Sequence, residues 1–281
     1  MTLANPTLRG EHEQANTKAD NALVSCGVPA TGKLRLVSNF PPREWSFASS
    51  NTDLLVKAMI MGPDRVVQMC HIEESAPHYL DRAEFLAEVV AVHHQIVTEL
   101  DEPSYTGYVD PESLDHMKAR GQDPLENLNA AIAASNGAIA GLQGRAVFGI
   151  HICRGNRASM WHREGHYDGI ADAVFSSLDF DGLLLEYVTE RAGGFEPLRF
   201  VPKGKTVALG LVTTKTGRVE IADEIVARIE EASQFIDVDQ LAVSPQCGFA
   251  SWISGNDLSE DEQWCKLEVL QEVAQRVWGE V

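Results

Sequence analysis

The sequence predicts an α/β fold built on parallel strands, with a β/α barrel as the favoured architecture. Three observations support this prediction: short apolar runs alternate with amphipathic helical segments, the runs are apolar on both faces, and no Gly-rich dinucleotide-binding motif follows any of them. Strands covered by helices on both faces have this composition. An open doubly wound sheet would show the same alternation, but the missing motif disfavours that alternative.

The predicted elements follow from the spacing of apolar residues. Residues 1–32 are polar and lack periodicity, so we expect an irregular tail before a barrel domain over 33–281. Helical spacing predicts helices over 81–100, 125–142, 167–178, 221–235 and 259–278. Continuous apolar runs predict strands over 146–153, 183–188, 206–212 and 240–243.

The strand count falls short of a complete barrel. About six credible strands can be identified, whereas a closed (β/α)8 TIM-type barrel needs eight. The predicted helix over 81–100 runs directly into Asp101 and leaves no room for a strand between them. We therefore expect a barrel that is incomplete on its N-terminal side.

Composition excludes several classes of function. The net charge of −18 argues against nucleic-acid partners and against docking on anionic membranes, because both need an excess of Lys and Arg. No apolar run approaches the length of a membrane-spanning helix, and the N-terminus lacks the order of a signal peptide. Five cysteines without a close Cys-x-x-Cys pair do not resemble a secreted disulfide framework. A cytoplasmic protein with thiols available to a metal is expected.

Four residues at predicted strand ends have the chemistry of metal ligands. His151 and Cys153 are two apart on one strand and therefore share a face. Glu186 interrupts the apolar run LLLEYV about one β/α unit later, and Cys247 follows another strand about two units beyond that. In a parallel sheet or barrel these strand ends meet at the C-terminal face, where active sites lie. One nitrogen, two sulfurs and a carboxylate suit Zn²⁺.

The alternative interpretation is ordinary packing. A lone His-x-Cys pair on a strand is more often a packed pair than a ligand pair, and a lone cysteine before glycine usually has no special role. A glutamate inside an apolar strand is harder to explain in that way, because an unpaired buried carboxylate is costly. The coincidence of all these residues at strand ends favours the metal.

Longer segments resemble a known enzyme family. They are HICRGN (151–156), LDFDGLLLEYVTERAGGFEPLRFVPKGK (178–205), LGLVTTKTGRVE (209–220), LAVSPQCGFAS (241–251) and, more loosely, DEPSYTGYVDPE (101–112). The chain resembles the C-terminal catalytic domain of cobalamin-independent methionine synthase. It is most similar to the short single-domain relatives, which include the coenzyme M epoxyalkane transferase type.

The resemblance implies a β/α barrel in which zinc is held by His151, Cys153, Glu186 and Cys247. It also implies that a small thiol, with homocysteine as first choice, is methylated at sulfur by a methylated folate in methionine biosynthesis. Asp101 and Glu102 form the Asp-Glu-Pro motif, in which Asp101 corresponds to the carboxylate that binds the amino group of homocysteine. Without the resemblance, this motif would be interpreted as a solvated turn at a helix end.

Two departures leave alternatives open. Nothing before Leu34 resembles the family's Gly-Ser element that binds the substrate carboxylate. The family's Asp-Ile-His-Ser segment, which supplies a proton-handling histidine, is replaced by residues 210–215, so the catalytic acid is unassigned. His162 or His166 could substitute, although a solvated loop is the expected role of both. Alkyl transfer to another thiol such as coenzyme M, or a non-catalytic paralogue that retains the zinc cluster, are the alternative functions.

Overall fold

The computed structural model describes residues 28–54, 56–75, 77–96, 99–101, 103–251 and 255–279. The strands are β1 (Met59–Met61), β2 (Glu99–Asp101), β3 (Gly149–Ile152), β4 (Gly182–Glu186), β5 (Thr206–Val212) and β6 (Leu241–Pro245). The α helices are α1 (Pro41–Ser49), α2 (Pro63–Gln68), α3 (Arg82–Ile96), α4 (Pro111–Ala119), α5 (Pro124–Ile139), α6 (Ala171–Ser177), α7 (Ala222–Ala232) and α8 (Glu260–Trp278). Short 3-10 helices occupy several of the connections.

The strands follow one another in chain order, from β1 to β6, in a six-stranded sheet. The pairs β1–β2, β2–β3 and β5–β6 are parallel. A doubly wound sheet reverses its strand order at a switch point, whereas successive β/α units keep the order of the chain. The strand order therefore confirms the predicted α/β class and favours successive β/α units over the doubly wound alternative.

The described residues fall into two compact units. One contains residues 28–152 and Gly169–Leu183, and the other contains Cys153–Asp168 and residues 184–279. In the first unit α2, α3 and α5 pack around the buried side chains of Val67, Phe85 and Ala134. In the second unit, α7 packs against α8 and the strand β5 is almost wholly buried. None of the described helices is both long enough and apolar enough to cross a membrane.

In the second unit, Gly210 of β5 allows the ends of β4 and β6 to approach β5 closely. A Cβ atom on Gly210 would lie 2.9 Å from the Cα of Gln246 and 3.1 Å from the carbonyl oxygen of Leu185. Any larger residue at position 210 would therefore push away the end of β4 or the segment after β6. The register of the parallel β5–β6 pair also shifts at this point, between Gly210 and Val212. These features bring Glu186 and Gln246 to neighbouring positions.

The elements predicted from long apolar runs are present, with ends shifted by a few residues. The prediction that no strand fits before Asp101 is wrong, because α3 ends at Ile96 and β2 covers Glu99–Asp101. The sequence pattern was misleading because the apolar spacing continues to Leu100, beyond the end of α3. The sequence prediction did not include α1, α2, α4 or β1. Of the predicted tail, residues 28–32 form no helix or strand, and residues 1–27 lie outside the described residues.

Candidate metal centre

The end of β3 supplies two of the predicted metal ligands. His151 lies within β3 and is half-buried, and Cys153 follows the strand directly and is buried. Cys247 comes two residues after β6 ends at Pro245 and is half-buried. Nitrogen and sulfur atoms from these three residues lie within 4.8 Å of one another. Cys247 thus joins His151 and Cys153, from which it is distant in sequence, in a compact group of donors.

The chemistry of this group suits zinc. Zinc accepts imidazole nitrogen and thiolate sulfur, and it binds four ligands in most structural sites and three in most catalytic sites. The pKa of the Cys247 thiol lies well above its ordinary value because of its hydrogen bond with Cys153, its burial and the negative charges of Cys153 and Glu186, while Lys215 opposes this rise. Two thiolates and a carboxylate this close would repel one another, which is why the Cys247 thiol resists deprotonation. A bound cation would relieve this repulsion, so the donor set fits the metal.

Glu186, the last residue of β4, is almost fully buried beside this group. It is not one of the three residues in the compact donor group. The main-chain N–H of Arg154 donates to its Oε2 at 2.9 Å, and the side-chain amide of Gln246 donates to its Oε1 at 3.2 Å. Each oxygen keeps a further lone pair. The carboxylate is therefore oriented by neutral donors and retains the capacity to bind a cation.

The buried guanidinium of Arg154 fixes the segment that follows Cys153. Its Nη1 donates to the Tyr167 hydroxyl at 3.0 Å and to the main-chain carbonyl of Glu186 at 3.2 Å, and its Nη2 donates to the Gly165 carbonyl at 2.7 Å. It also lies over the Tyr167 ring, 4.4 Å from the ring centroid. Burial raises the pKa of Tyr167 to about 12, so this hydroxyl stays protonated near neutral pH. Arg154 thereby joins the loop after β3 to the end of β4.

The next residue, Gly155, has a conformation that other residues rarely adopt. Its φ is +89°, and a Cβ atom there would lie 2.0 Å from Cδ2 of His162. Its carbonyl oxygen accepts a hydrogen bond of 2.7 Å from the buried Nζ of Lys215, and its N–H donates to the sulfur of Cys153 at 3.4 Å. Lys215 thus ties the loop after β5 to the loop that carries Cys153.

Asn156 connects the same loops from a second point. Its buried amide nitrogen donates to the Thr214 hydroxyl at 3.0 Å and to the Gly248 carbonyl at 3.1 Å. Thr214 follows β5, and Gly248 follows Cys247 directly. The loops after β3, β5 and β6 are therefore held together by side-chain hydrogen bonds within one compact unit, which keeps Cys153 and Cys247 in fixed relation.

The structure describes the remaining predicted site residues to different extents. The backbone of Asp101 is paired in register with His151 in the neighbouring strand, and Glu102 lies outside the described residues. His166 is exposed, as expected for a loop residue, whereas His162 is half-buried against Gly155. The sequence did not assign roles to three buried polar residues. Arg154 follows Cys153 directly, Gln246 precedes Cys247 directly, and Lys215 lies three residues after the end of β5.

Comparison with known proteins places the chain in a family. The family model described as the catalytic domain of cobalamin-independent synthase matches residues 33–275. The chain belongs to this family. The uncharacterized protein YxjG of Bacillus subtilis (strain 168) is 44% identical over 181 residues, which cover 64% of this chain and 48% of YxjG. The methionine synthase of Pyrococcus abyssi is 25% identical over 224 residues, covering 78% of this chain and 58% of that enzyme.

Solved structures of the cobalamin-independent synthase family share the fold. A Listeria monocytogenes protein assigned as a vitamin-B12-independent methionine synthase matches with a TM-score of 0.65 and 25% sequence identity. The match covers 90% of this chain and 74% of the Listeria chain. The chain spans about half the length of the curated relatives that it matches.

Proposed function

We propose that the chain is a zinc-dependent S-methyltransferase that activates a small thiol, with homocysteine as first choice and a methylated folate as methyl donor. The observation that carries the proposal is the compact group formed by His151, Cys153 and Cys247. Membership of the cobalamin-independent synthase family supports the same reaction, since a relative in this family is named methionine synthase. Glu186, buried next to the group, is the fourth residue proposed to hold the zinc.

The proposed role of the metal follows from the donor set. When bound, zinc would lower the pKa of a substrate thiol so that the thiolate is available near neutral pH. His151, Cys153, Cys247 and Glu186 would hold the ion, and the two cysteine sulfurs and the carboxylate would supply the negative charge that balances it.

The protein's own residues would perform the remaining tasks. The N–H groups of Arg154 and Gly155 hold the Glu186 carboxylate and the Cys153 sulfur, respectively, in place. Asp101 belongs to the Asp-Glu-Pro motif that resembles the family's substrate-binding segment, and we propose on this basis that its carboxylate binds the amino group of the thiol substrate. A methyl group on a tertiary amine is a poor electrophile, so alignment of donor and thiolate is essential to the reaction.

The experiment that tests this proposal presents a panel of thiols to the zinc-reconstituted chain. Homocysteine, coenzyme M, cysteine and glutathione are added separately, and the release of protons and the transfer of methyl from a methylated folate are measured. We expect homocysteine to release protons and to be converted to methionine. Cys153→Ala should abolish both signals, whereas Cys265→Ala, which changes an exposed cysteine in α8, should retain them.

The other outcomes of the panel distinguish the alternative functions. A response to coenzyme M without a response to homocysteine would contradict the proposed substrate and favour alkyl transfer to a different thiol. A chain that binds zinc but responds to no thiol would contradict enzymatic activity and favour a zinc site with a structural role.

A further inference from the structure

The amide of Gln246 lies between Glu186 and the loop after β5, and the hydrogen-bonding groups that face it determine its orientation. Gln246 is almost fully buried, between β6 and Cys247. Because a carboxylate only accepts hydrogen bonds, the atom of Gln246 that faces Glu186 must be its nitrogen, at 3.2 Å. Its oxygen then faces the hydroxyl of Thr213, which donates to it at 2.7 Å. The amide of Gln246 therefore bridges Glu186 and Thr213, with its nitrogen bonded to the first and its oxygen bonded to the second.

Thr213 is itself fixed by two hydrogen bonds, each involving a main-chain N–H. Its hydroxyl oxygen accepts from the N–H of Lys215 at 3.2 Å, which leaves the hydroxyl hydrogen directed at Gln246. Its own N–H donates to the Glu220 carboxylate at 2.8 Å. The second oxygen of Glu220 accepts from the fully buried ammonium of Lys266 in α8 at 2.9 Å. A continuous path of hydrogen bonds thus runs from α8 to the carboxylate of Glu186.

We infer that Gln246 is a positioning residue for the metal centre, whose amide, oriented by Thr213, holds the Glu186 carboxylate in the orientation that binds zinc. This inference rests on the proposed function and adds residues that the ligand set does not include. With the Arg154 N–H on one oxygen and Gln246 on the other, rotation of the carboxylate is prevented from both sides. A ligand oriented before the metal arrives loses less conformational freedom on binding.

The test compares near-isosteric variants that remove the Gln246 amide or the Thr213 hydroxyl with variants that keep them. Gln246→Met removes the amide, Thr213→Val removes the hydroxyl that orients the amide, and Thr213→Ser restores that hydroxyl. The control is Gln240→Met, which removes an amide bonded to the carbonyls of Pro202 and Lys205 just before β6 begins. Zinc affinity is measured by competition with a chelator. The absorption spectrum of the Co²⁺-substituted chain and the thermal midpoint of the metal-free chain are recorded for each protein.

We expect Gln246→Met and Thr213→Val to weaken zinc binding by about 10- to 100-fold and to alter the Co²⁺ spectrum. Thr213→Ser and Gln240→Met should keep the affinity and the spectrum of the wild type. Unchanged affinity in both Gln246→Met and Thr213→Val would overturn the inference, as would an equal loss of affinity in Gln240→Met, since that would indicate a general loss of structure. A wild-type chain that binds no zinc would instead contradict the proposed function.

Discussion

Two buried carboxylates, one in each compact unit, are held in contrasting ways. Asp64, in α2, is fully buried and forms an ion pair with the guanidinium of Arg82. It also accepts hydrogen bonds from the Gln68 amide at 2.9 Å and from the Tyr108 hydroxyl at 3.0 Å. The negative charge of Asp64 is therefore balanced within the protein by a guanidinium from another helix.

Glu186 is equally buried, but the hydrogen bonds to its carboxylate come from a main-chain N–H and an amide, which are both neutral. The guanidinium of Arg154 bonds to the main-chain carbonyl of Glu186 rather than to its carboxylate. The negative charges of Glu186 and Cys153 both raise the pKa of the nearby Cys247 thiol. The comparison shows that burial alone does not identify a site. Glu186 accepts hydrogen bonds from neutral donors beside two thiols, and the cations of Arg154 and Arg191 interact with it only electrostatically, whereas Asp64 forms a direct ion pair.

The largest expected effect concerns Asp64. Asp64→Ala should lower the free energy of unfolding by about 3 kcal/mol, because it leaves Arg82 without its counter-charge and removes an acceptor from the Gln68 amide and the Tyr108 hydroxyl. Zinc content should not change. Urea denaturation of wild type and variant measures the difference. The matched control is Glu84→Ala, which breaks a solvent-exposed ion pair with Lys33 and should lower the free energy of unfolding far less. Equal losses in the two variants would contradict the structural role of Asp64.

Glu186→Gln tests whether the second buried carboxylate serves metal binding rather than stability. The variant should retain most of the free energy of unfolding of the metal-free chain, because a buried charge is removed while an amide oxygen can still accept one of the two hydrogen bonds. Its zinc affinity should fall by about 100-fold, equivalent to about 2.8 kcal/mol. Urea denaturation and chelator competition measure the two quantities. A variant that loses stability as Asp64→Ala does, but keeps its zinc, would show that Glu186 is structural.

A smaller effect is expected from the loop that carries Cys153. Gly155→Ala should lower the free energy of unfolding by about 2 kcal/mol, because its positive φ is unfavourable for alanine and the new Cβ atom would collide with His162. Gly204→Ala is the matched control, since Gly204 has a φ of +90° but no atom within 4 Å of a Cβ placed there. It should cost about 1 kcal/mol. Identical losses would indicate that His162 moves away readily.

The parts of the fold that the sequence predicted are those with long apolar runs. The strand β5 has seven residues, of which all but Thr206 and Ala208 are buried, and its boundaries matched the prediction. In contrast, β1 and β2 have three residues each, which is too short for a recognisable pattern. The helix α4 has no buried residue, so its sequence carries no apolar periodicity. Its predictable signals were local ones, Pro111 at the first turn and Asp110 as the N-cap.

The candidate site was partly predictable for a similar reason. His151, Cys153, Glu186 and Cys247 were identified because their residue types and their positions at strand ends form a pattern. Single polar residues such as Gln246 and Lys215 form no pattern in the sequence, since their roles depend on which atoms face them across the strands. The buried Arg154 could have been suspected, because it follows Cys153 directly and a charged residue after a buried strand needs partners.

The central claim is that the ends of β3 and β6 form a zinc site. The most direct test is zinc per chain, by elemental analysis of folded protein after reconstitution and removal of unbound metal, in wild type, Cys247→Ala and Cys265→Ala. We predict about one zinc ion per chain in the wild type and in Cys265→Ala, and much less in Cys247→Ala. No zinc in the folded wild type, or equal zinc in all three proteins, would contradict the claim.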